Sequence, residues 1–316
     1  MAKNVEEIHN KARQNMWDQS IDNHKFFIDE TTGLFKEKFI EKRPCPACGQ
    51  DHYMNLFLKE GGQYVRCLGC RMVYLNPVFT DEALTTYYTN NKVEQGLVVS
   101  DDFSFYEELY NKGLSAAQAR TSVGNILDIG CSTGLFLDIA KSKGWKTHGL
   151  ELNKIESEIS RNKGHSVESH LLENASYDER FGIISFWDVF EHIKDGAKTL
   201  RLAKELLTDD GVILIQIPSS DSIAARVMQE KCNMFDGLEH VNLYGVNSLR
   251  VLVENCKLNI LDIKSVIPEL GVLNNYLNYE HPYTSAGDNF ESVLNLSSDD
   301  EVLQSLLGYK LQVVLG

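Results

Sequence analysis

From Asn125 onward the chain alternates short apolar runs with amphipathic stretches, and this alternation constrains the fold more than any other feature. The runs "NILDIG", "KTHGLE", "HSVES", "FGIISFW" and "GVILIQIP" have the length of strands. Between them, "GLFLDIAKSKG", "NKIESEISRNKG" and "DGAKTLRLAKELLTDDG" read as helices. In the last, Leu200, Ala203 and Leu207 fall on one face, and Gly211 is expected to end the helix in the left-handed conformation. Such alternation builds an α/β domain with a doubly wound parallel sheet, whose ligand sits at the carboxyl ends of the strands.

The first strand runs into a glycine turn, Gly130-Cys131-Ser132-Thr133-Gly134, and out into a helix. A dinucleotide fingerprint needs three glycines at G-x-G-x-x-G, and here Ser132 and Leu135 take two of those places. No Gly-Lys-Ser/Thr follows, so the phosphate-loop pattern fails as well. What remains is Asp128, then Gly130 and Gly134, with Glu151 at the end of the next strand. A carboxylate at that strand end accepts the ribose hydroxyls of any adenosine cofactor. The glycine count and Asp128 therefore choose against a dinucleotide, where the spacing to Glu151 does not.

Four of the seven cysteines form two pairs, Cys45/Cys48 and Cys67/Cys70, in the spacing C-x2-C-x18-C-x2-C. Each C-x-x-C turn presents two thiolates to one tetrahedral ion, and "YMNLFLKEGGQYVRC" alternates as two short strands around Gly61 and Gly62. The segment reads as a zinc ribbon. Four thiolates leave no open position, so the zinc is expected to be structural, and His52 is not needed as a ligand.

These signals divide the chain into four parts. Residues 1–42 are expected to be an N-terminal helical segment, from periodicity in stretches such as "HKFFIDETTGLFKEKFI". Residues 43–78 are the ribbon. Residues 79–122 form a helical linker or lid, with Thr80 as N-cap of "TDEALTTYYTN", a loop at "NKVEQGLVVS" and a second helix in "DFSFYEELYNKGLSAAQAR". Residues 123–316 form the α/β domain. The formal net charge of −14 argues against a nucleic-acid substrate. No apolar run approaches a membrane span, and the polar N-terminus has no signal-peptide core, so a cytoplasmic location is expected. Oligomeric state is not legible.

"LDIGCSTG", "GLE" and "WDVFEHI", followed by "LLTDDGVILIQIPSS", resemble the class I S-adenosylmethionine-dependent methyltransferases. The branch most similar includes quinone-biosynthesis and sugar methyltransferases, some with an N-terminal zinc ribbon. The resemblance is clear from Asn125 to Ser219 and extends more loosely through "GLEHVNLYGVNSLRVLVENCKL". It implies a Rossmann-like seven-stranded sheet closed by a final antiparallel strand, a place that "GYKLQVVL" fits. It also implies S-adenosylmethionine as cofactor and S-adenosylhomocysteine as product, with a small-molecule acceptor methylated on oxygen or carbon. The implied cofactor neighbours are Asp128, Gly130, Cys131, Gly134, Glu151, Leu152, Trp187 and Asp188. Such a cofactor carries an amino-acid end, for which close backbone approach and helix N-terminal amides are suitable partners.

By the same resemblance His240 is the general base, oriented by Glu239, with His192 as the other candidate. A competing explanation makes Glu239 and His240 a surface pair capping the helix "VNSLRVLVENC". Two other function classes remain open: a non-catalytic scaffold of the same fold, and an NAD-dependent oxidoreductase, which the missing glycines disfavour.

Overall fold

The computed structural model describes residues 25–90, 103–279 and 297–316. At the N-terminal end, β1 (Ile40–Glu41) precedes a hairpin of β2 (Tyr53–Lys59) and β3 (Gly62–Cys67), followed by β4 (Val73–Leu75) and β5 (Val78–Phe79). Glu60 and Gly61 both have positive φ, 47° and 90°, as the two central residues of a type I′ hairpin turn require. Two helices follow, α1 (Asp81–Asn90) and α2 (Phe103–Gln118). The Thr80 hydroxyl accepts from the Ala83 amide at 3.2 Å, which caps α1 as the sequence indicated. The expected loop at 91–100 lies outside the described residues.

The helical reading of the N-terminal segment is corrected for residues 25–42. Ile28 and Phe35 form an antiparallel bridge, and after Lys25 the 3-10 turn Glu37–Phe39 is the one helical piece among the described residues up to 42. The Asp29 carboxylate accepts from the amides of Thr31 and Thr32, each at 3.0 Å, and Gly33 turns the chain at φ 69°. That side-chain turn competes directly with helix formation. The apolar residues then meet across the bridge, where Phe27, Phe35, Phe79 and Tyr87 form one buried cluster.

The α/β domain contributes β6 (Asn125–Ile129), α3 (Leu135–Ser142), β7 (Lys146–Leu150), α4 (Lys154–Asn162) and β8 (Ser166–Glu168). It continues with β9 (Phe181–Trp187), α5 (Gly196–Glu205), β10 (Leu207–Pro218), α6 (Ile223–Met228), β11 (Asn242–Leu243) and α7 (Val246–Asn255). The last elements are β12 (Ile260–Val266), α8 (Leu270–Tyr279), α9 (Asp299–Gln304) and β13 (Lys310–Leu315). Seven strands form the central sheet in the order β12-β13-β10-β9-β6-β7-β8. The strands from β10 to β8 run parallel, and β13 lies antiparallel between β10 and β12. The winding reverses between β6 and β9, which opens a crevice at their carboxyl ends.

Alternate residues of the central strands feed two different cores. Leu127, Ile184, Ile213, Ile215 and Val313 belong to one, while Ile126, Ile183, Val212, Leu214 and Val314 belong to the other with α2 and α3. A sheet buried on both faces requires this period of two, and it explains the near-continuous apolar runs.

Gly211 does not end a helix. α5 stops at Glu205, and Leu207 already pairs with Phe181 at the start of β10. The register shifts between Leu207 and Val212, where a Cβ on Gly211 would lie 2.8 Å from the Phe181 carbonyl. The glycine serves close backbone approach at a bulge, because strand pairing takes over one turn earlier than periodicity suggests.

The ribbon is not a free appendage. β11, from the far side of the α/β domain, pairs antiparallel with β4 and completes a four-stranded sheet, β11-β4-β3-β2. Cys45, Val65, Cys67, Cys70 and Tyr74 share a core with Leu127, Phe186 and Tyr244. The Arg43 guanidinium bridges the two parts, donating to the carbonyls of Leu75, Lys194 and Val241 and to Asn242 Oδ1 at 2.8–3.2 Å. Among the described residues, no helix is long and apolar enough to cross a membrane.

Candidate functional site

The turn after β6 holds its shape through backbone bonds and left-handed residues. The amides of Gly130 and Cys131 donate to the Leu150 carbonyl at 2.8 and 3.1 Å. Gly130, Ser132 and Gly134 have φ of 74°, 46° and 80°. A Cβ on Gly130 would stand 2.5 Å from a Val189 methyl, and one on Gly134 would meet the Ser160 hydroxyl at 2.5 Å. Both glycines are thus required by packing as well as by backbone conformation. The first amides of α3, which have no partner inside the helix, lie at the end of this turn.

Two carboxylates flank the turn. Asp128 is 2% exposed and accepts from the Ser185 hydroxyl at 2.7 Å. Burial, reinforced by the charge of Glu151, pushes its pKa up to about 8. Glu151 accepts from the Ser132 amide at 2.9 Å and the Asn153 amide at 2.7 Å, which orients its carboxylate along the turn. Burial raises its pKa despite those amides. Leu152, one residue on, is 60% exposed at the same edge of the sheet.

Two of the expected neighbours, Cys131 and Trp187, have side chains packed in the interior. The Cys131 side chain is buried under the turn, where Gly149 makes room for it (a Cβ there would be 2.5 Å from the sulfur). Its side chain supports the turn from beneath, and only its backbone lines the turn's outer edge. Trp187 is packed in the core between Tyr110, at 4.7 Å between ring centroids, and Phe136, at 4.9 Å, with Gly113 against its ring. Its place at the end of an apolar strand did not reveal that α2 covers it. Asp188 follows directly on β9 at the carboxyl edge of the sheet, in a left-handed conformation with φ 55°. Its Oδ2 accepts from Gln216 and Lys310, while its Oδ1 is buried with no hydrogen-bond partner among the described residues.

The histidines meet beyond Asp188. His192 lies in the 3-10 turn Phe190–His192, and His240 precedes β11. Their rings stand 4.7 Å apart at 67°. Nδ1 of His192 donates to the Glu239 carbonyl at 3.1 Å, and Nδ1 of His240 donates to the Met234 carbonyl at 2.7 Å. Asp236 accepts from the amides of Leu238, Glu239 and His240 and so folds the segment. Burial and the neighbouring His240 lower the His192 pKa to about 4. Burial opposes charge on His240 too, but Asp236 and Glu191 outweigh it and raise that pKa.

The expected Glu239–His240 orienting pair is not formed. Glu239 accepts instead from the Tyr87 hydroxyl of α1 at 2.8 Å, so it ties the helix to the segment. The capping explanation fails as well, because α7 is capped by Asp221, which accepts from the Val246 amide at 2.8 Å. Tyr244 is fully buried against Phe190, and Gly237 presses on the backbone of the β2–β3 hairpin. The sequence reading missed Glu191, Ser185, Tyr110, Lys310 and Tyr87. Glu191 alone had a local signal, its adjacency to His192.

The four ribbon cysteines come together as their spacing indicated. All four sulfurs lie within 4.8 Å of one another, with Cys45–Cys70 and Cys48–Cys67 at 3.5 Å. A tetrahedron of Zn–S bonds of about 2.3 Å needs sulfurs about 3.8 Å apart. His52 is not among the grouped ligand atoms.

A family model described as a methyltransferase domain matches residues 103–263. The ubiquinone biosynthesis O-methyltransferase of Pasteurella multocida is 26% identical over 118 residues, covering 31% of this chain and 48% of that protein. The match thus spans about half the length of this relative. A solved structure of a SAM-dependent methyltransferase from Thermotoga maritima, described as a possible histamine N-methyltransferase, is 18% identical. It covers 66% of this chain and 88% of its own, with a TM-score of 0.43. A S-adenosylmethionine-dependent methyltransferase from Clostridium acetobutylicum is 13% identical, covering 74% and 97%, with a TM-score of 0.42.

Proposed function

The chain belongs to the methyltransferase-domain family, and on that premise we propose that it transfers a methyl group from S-adenosylmethionine to an oxygen or carbon of a small acceptor, a sugar or related metabolite. The observation that carries this reading is the pair of carboxylates, buried Asp128 and half-buried Glu151, on either side of a turn whose glycines leave no room for a side chain. The donors fit the cofactor. Asp128 provides an anion for its amino group, the open amides of α3 suit its carboxylate, and Glu151 suits the ribose hydroxyls. Leu152 offers an exposed apolar surface for the adenine. The cofactor supplies an activated methyl carbon on a sulfonium. The protein's contribution is then alignment and exclusion of water, with α2 laid over the crevice through Tyr110. His240 and His192, whose Nδ1 atoms are bonded to backbone carbonyls, leaving Nε2 for a substrate, are the groups assigned to activating the acceptor. The Cys45, Cys48, Cys67 and Cys70 cluster holds a structural zinc.

Calorimetry with S-adenosylhomocysteine and with NAD tests the reading. The first should bind and the second should not, and Glu151→Ala should weaken the first by about 1.5–3 kcal/mol. Affinity unchanged in Glu151→Ala, with the fold intact, would remove the assignment.

Asp128 adds a pH signature. Its pKa of about 8 leaves it largely protonated at neutral pH, whereas a bound ammonium favours the carboxylate. Binding at pH 7 should therefore release a proton, and affinity should rise with pH until it levels off above about 8. Calorimetry in buffers of different ionisation enthalpy measures that proton. Identical heats in all buffers would contradict the placement of Asp128 beside the ammonium.

A further inference from the structure

Beside the cofactor turn, a second cluster has more buried charge than its neighbours satisfy. Glu191 is 1% exposed, and its Oε2 has no hydrogen-bond partner among the described residues. Asp188 Oδ1, in the same region, is likewise buried and unpartnered. Buried carboxylate oxygens are ordinarily hydrogen-bonded or paired with a cation. One ligand atom from each of Glu191, His192 and His240 lies within 4.8 Å of the others.

The imidazoles are prepared in a particular way. In both, Nδ1 is bonded to a backbone carbonyl, that of Glu239 for His192 and that of Met234 for His240. A carbonyl only accepts, so the neutral ring carries its proton on Nδ1 and keeps a bare lone pair on Nε2. An Nδ1–H held by a carbonyl is how proteins orient histidine for metal ligation through Nε2. The two rings converge at 67° instead of stacking. Each is also held by its own backbone: the 3-10 turn for His192 and the Asp236 bonds for His240.

We propose that Glu191, His192 and His240 bind a divalent first-row transition cation, with Asp188 as the adjoining carboxylate. Two imidazoles and one carboxylate suit manganese, iron, cobalt or zinc better than magnesium or calcium, which take oxygen ligands. Three protein ligands leave coordination positions open. There the cation takes a hydroxyl oxygen of the methyl acceptor, a step that rests on the methyl-transfer reading. A hydroxyl on such a cation gives its proton to water more readily. The oxygen then forms its bond to the methyl carbon while the carbon–sulfur pair stays on sulfur.

The test is cation binding by the full chain with its ribbon already loaded with zinc. Mn2+ is the first probe, followed by loss of its free paramagnetic signal, because thiolates favour softer ions over it. Zn2+, by calorimetry, is the second. Wild-type protein should take up about one Mn2+ per chain. Glu191→Gln and His192→Ala should each weaken that uptake by about tenfold or more. S-adenosylhomocysteine affinity in both variants serves as the check of fold. No uptake of either ion beyond the ribbon, or uptake unchanged in both variants, overturns the proposal. Cation uptake that the variants abolish, in a protein that never binds S-adenosylhomocysteine, supports the site and overturns the methyl-transfer reading alone.

Discussion

Replacing His240 by alanine should lower turnover by about 10²–10⁴-fold while leaving S-adenosylhomocysteine affinity near its original value. The separation follows from where the residue is anchored. Its backbone amide is held by Asp236 and its Nδ1 by Met234, so the segment keeps its fold without the imidazole's far nitrogen. The carboxylates beside the glycine turn accept from Ser185, for Asp128, and from the Ser132 and Asn153 amides, for Glu151, and these bonds do not involve His240. Loss of Nε2 removes either the proton acceptor or a cation ligand, and both roles act on the acceptor. A packing role would show instead as a stability loss of about 1 kcal/mol with turnover kept. Steady-state kinetics with an identified acceptor, set beside calorimetry, makes the comparison. Full turnover in His240→Ala would move the assignment to His192.

Loss of the ribbon metal should have the largest effect on stability. A four-cysteine zinc site contributes about 10–16 kcal/mol of apparent binding energy, comparable with the about 5–15 kcal/mol by which a whole domain is stable. Cys67 is fully buried and belongs to the core that also contains Leu127 and Phe186. Cys67→Ser should therefore lower the melting temperature by roughly 10 °C or more, since several kcal/mol are at stake. It should lower turnover too, because β11 pairs with β4 and His240 lies just before β11. Elemental analysis of protein purified without chelator should find a zinc that the variant lacks. Zinc-free protein with an unchanged melting temperature in Cys67→Ser would refute the structural role.

Much of this arrangement was readable from residue order. The strands and helices from Asn125 to Pro218 follow from apolar period and glycine placement, and the N-cap at Thr80 follows from side-chain chemistry. Where local reading failed, a competing interaction had won. At Ile28–Phe35 an Asp29 side-chain turn displaced helix. At Gly211 pairing with Phe181 displaced a helix end. Glu239 was assigned to its neighbour His240 but found Tyr87, more than 150 positions earlier in the chain. Adjacency in sequence says little about which of two buried groups a carboxylate will face.

The sequence by itself determined the parallel sheet, the position of the glycine turn with Asp128 and Glu151, and the four-cysteine set, while the closing antiparallel strand was implied by the family resemblance. These depend on periodicity and short spacings, which act over a few residues and leave their mark in the order of side chains. Only the tertiary structure decided that the ribbon shares a sheet with β11, that Arg43 ties the two together, and that Glu191, His192 and His240 converge. It also decided that the Trp187 ring packs between Tyr110 of α2 and Phe136 of α3. Such contacts join segments far apart in the chain, and no local preference encodes them. They exist because burying apolar area on both faces of one sheet brings those segments together, and the buried polar groups then take whichever partners are within reach.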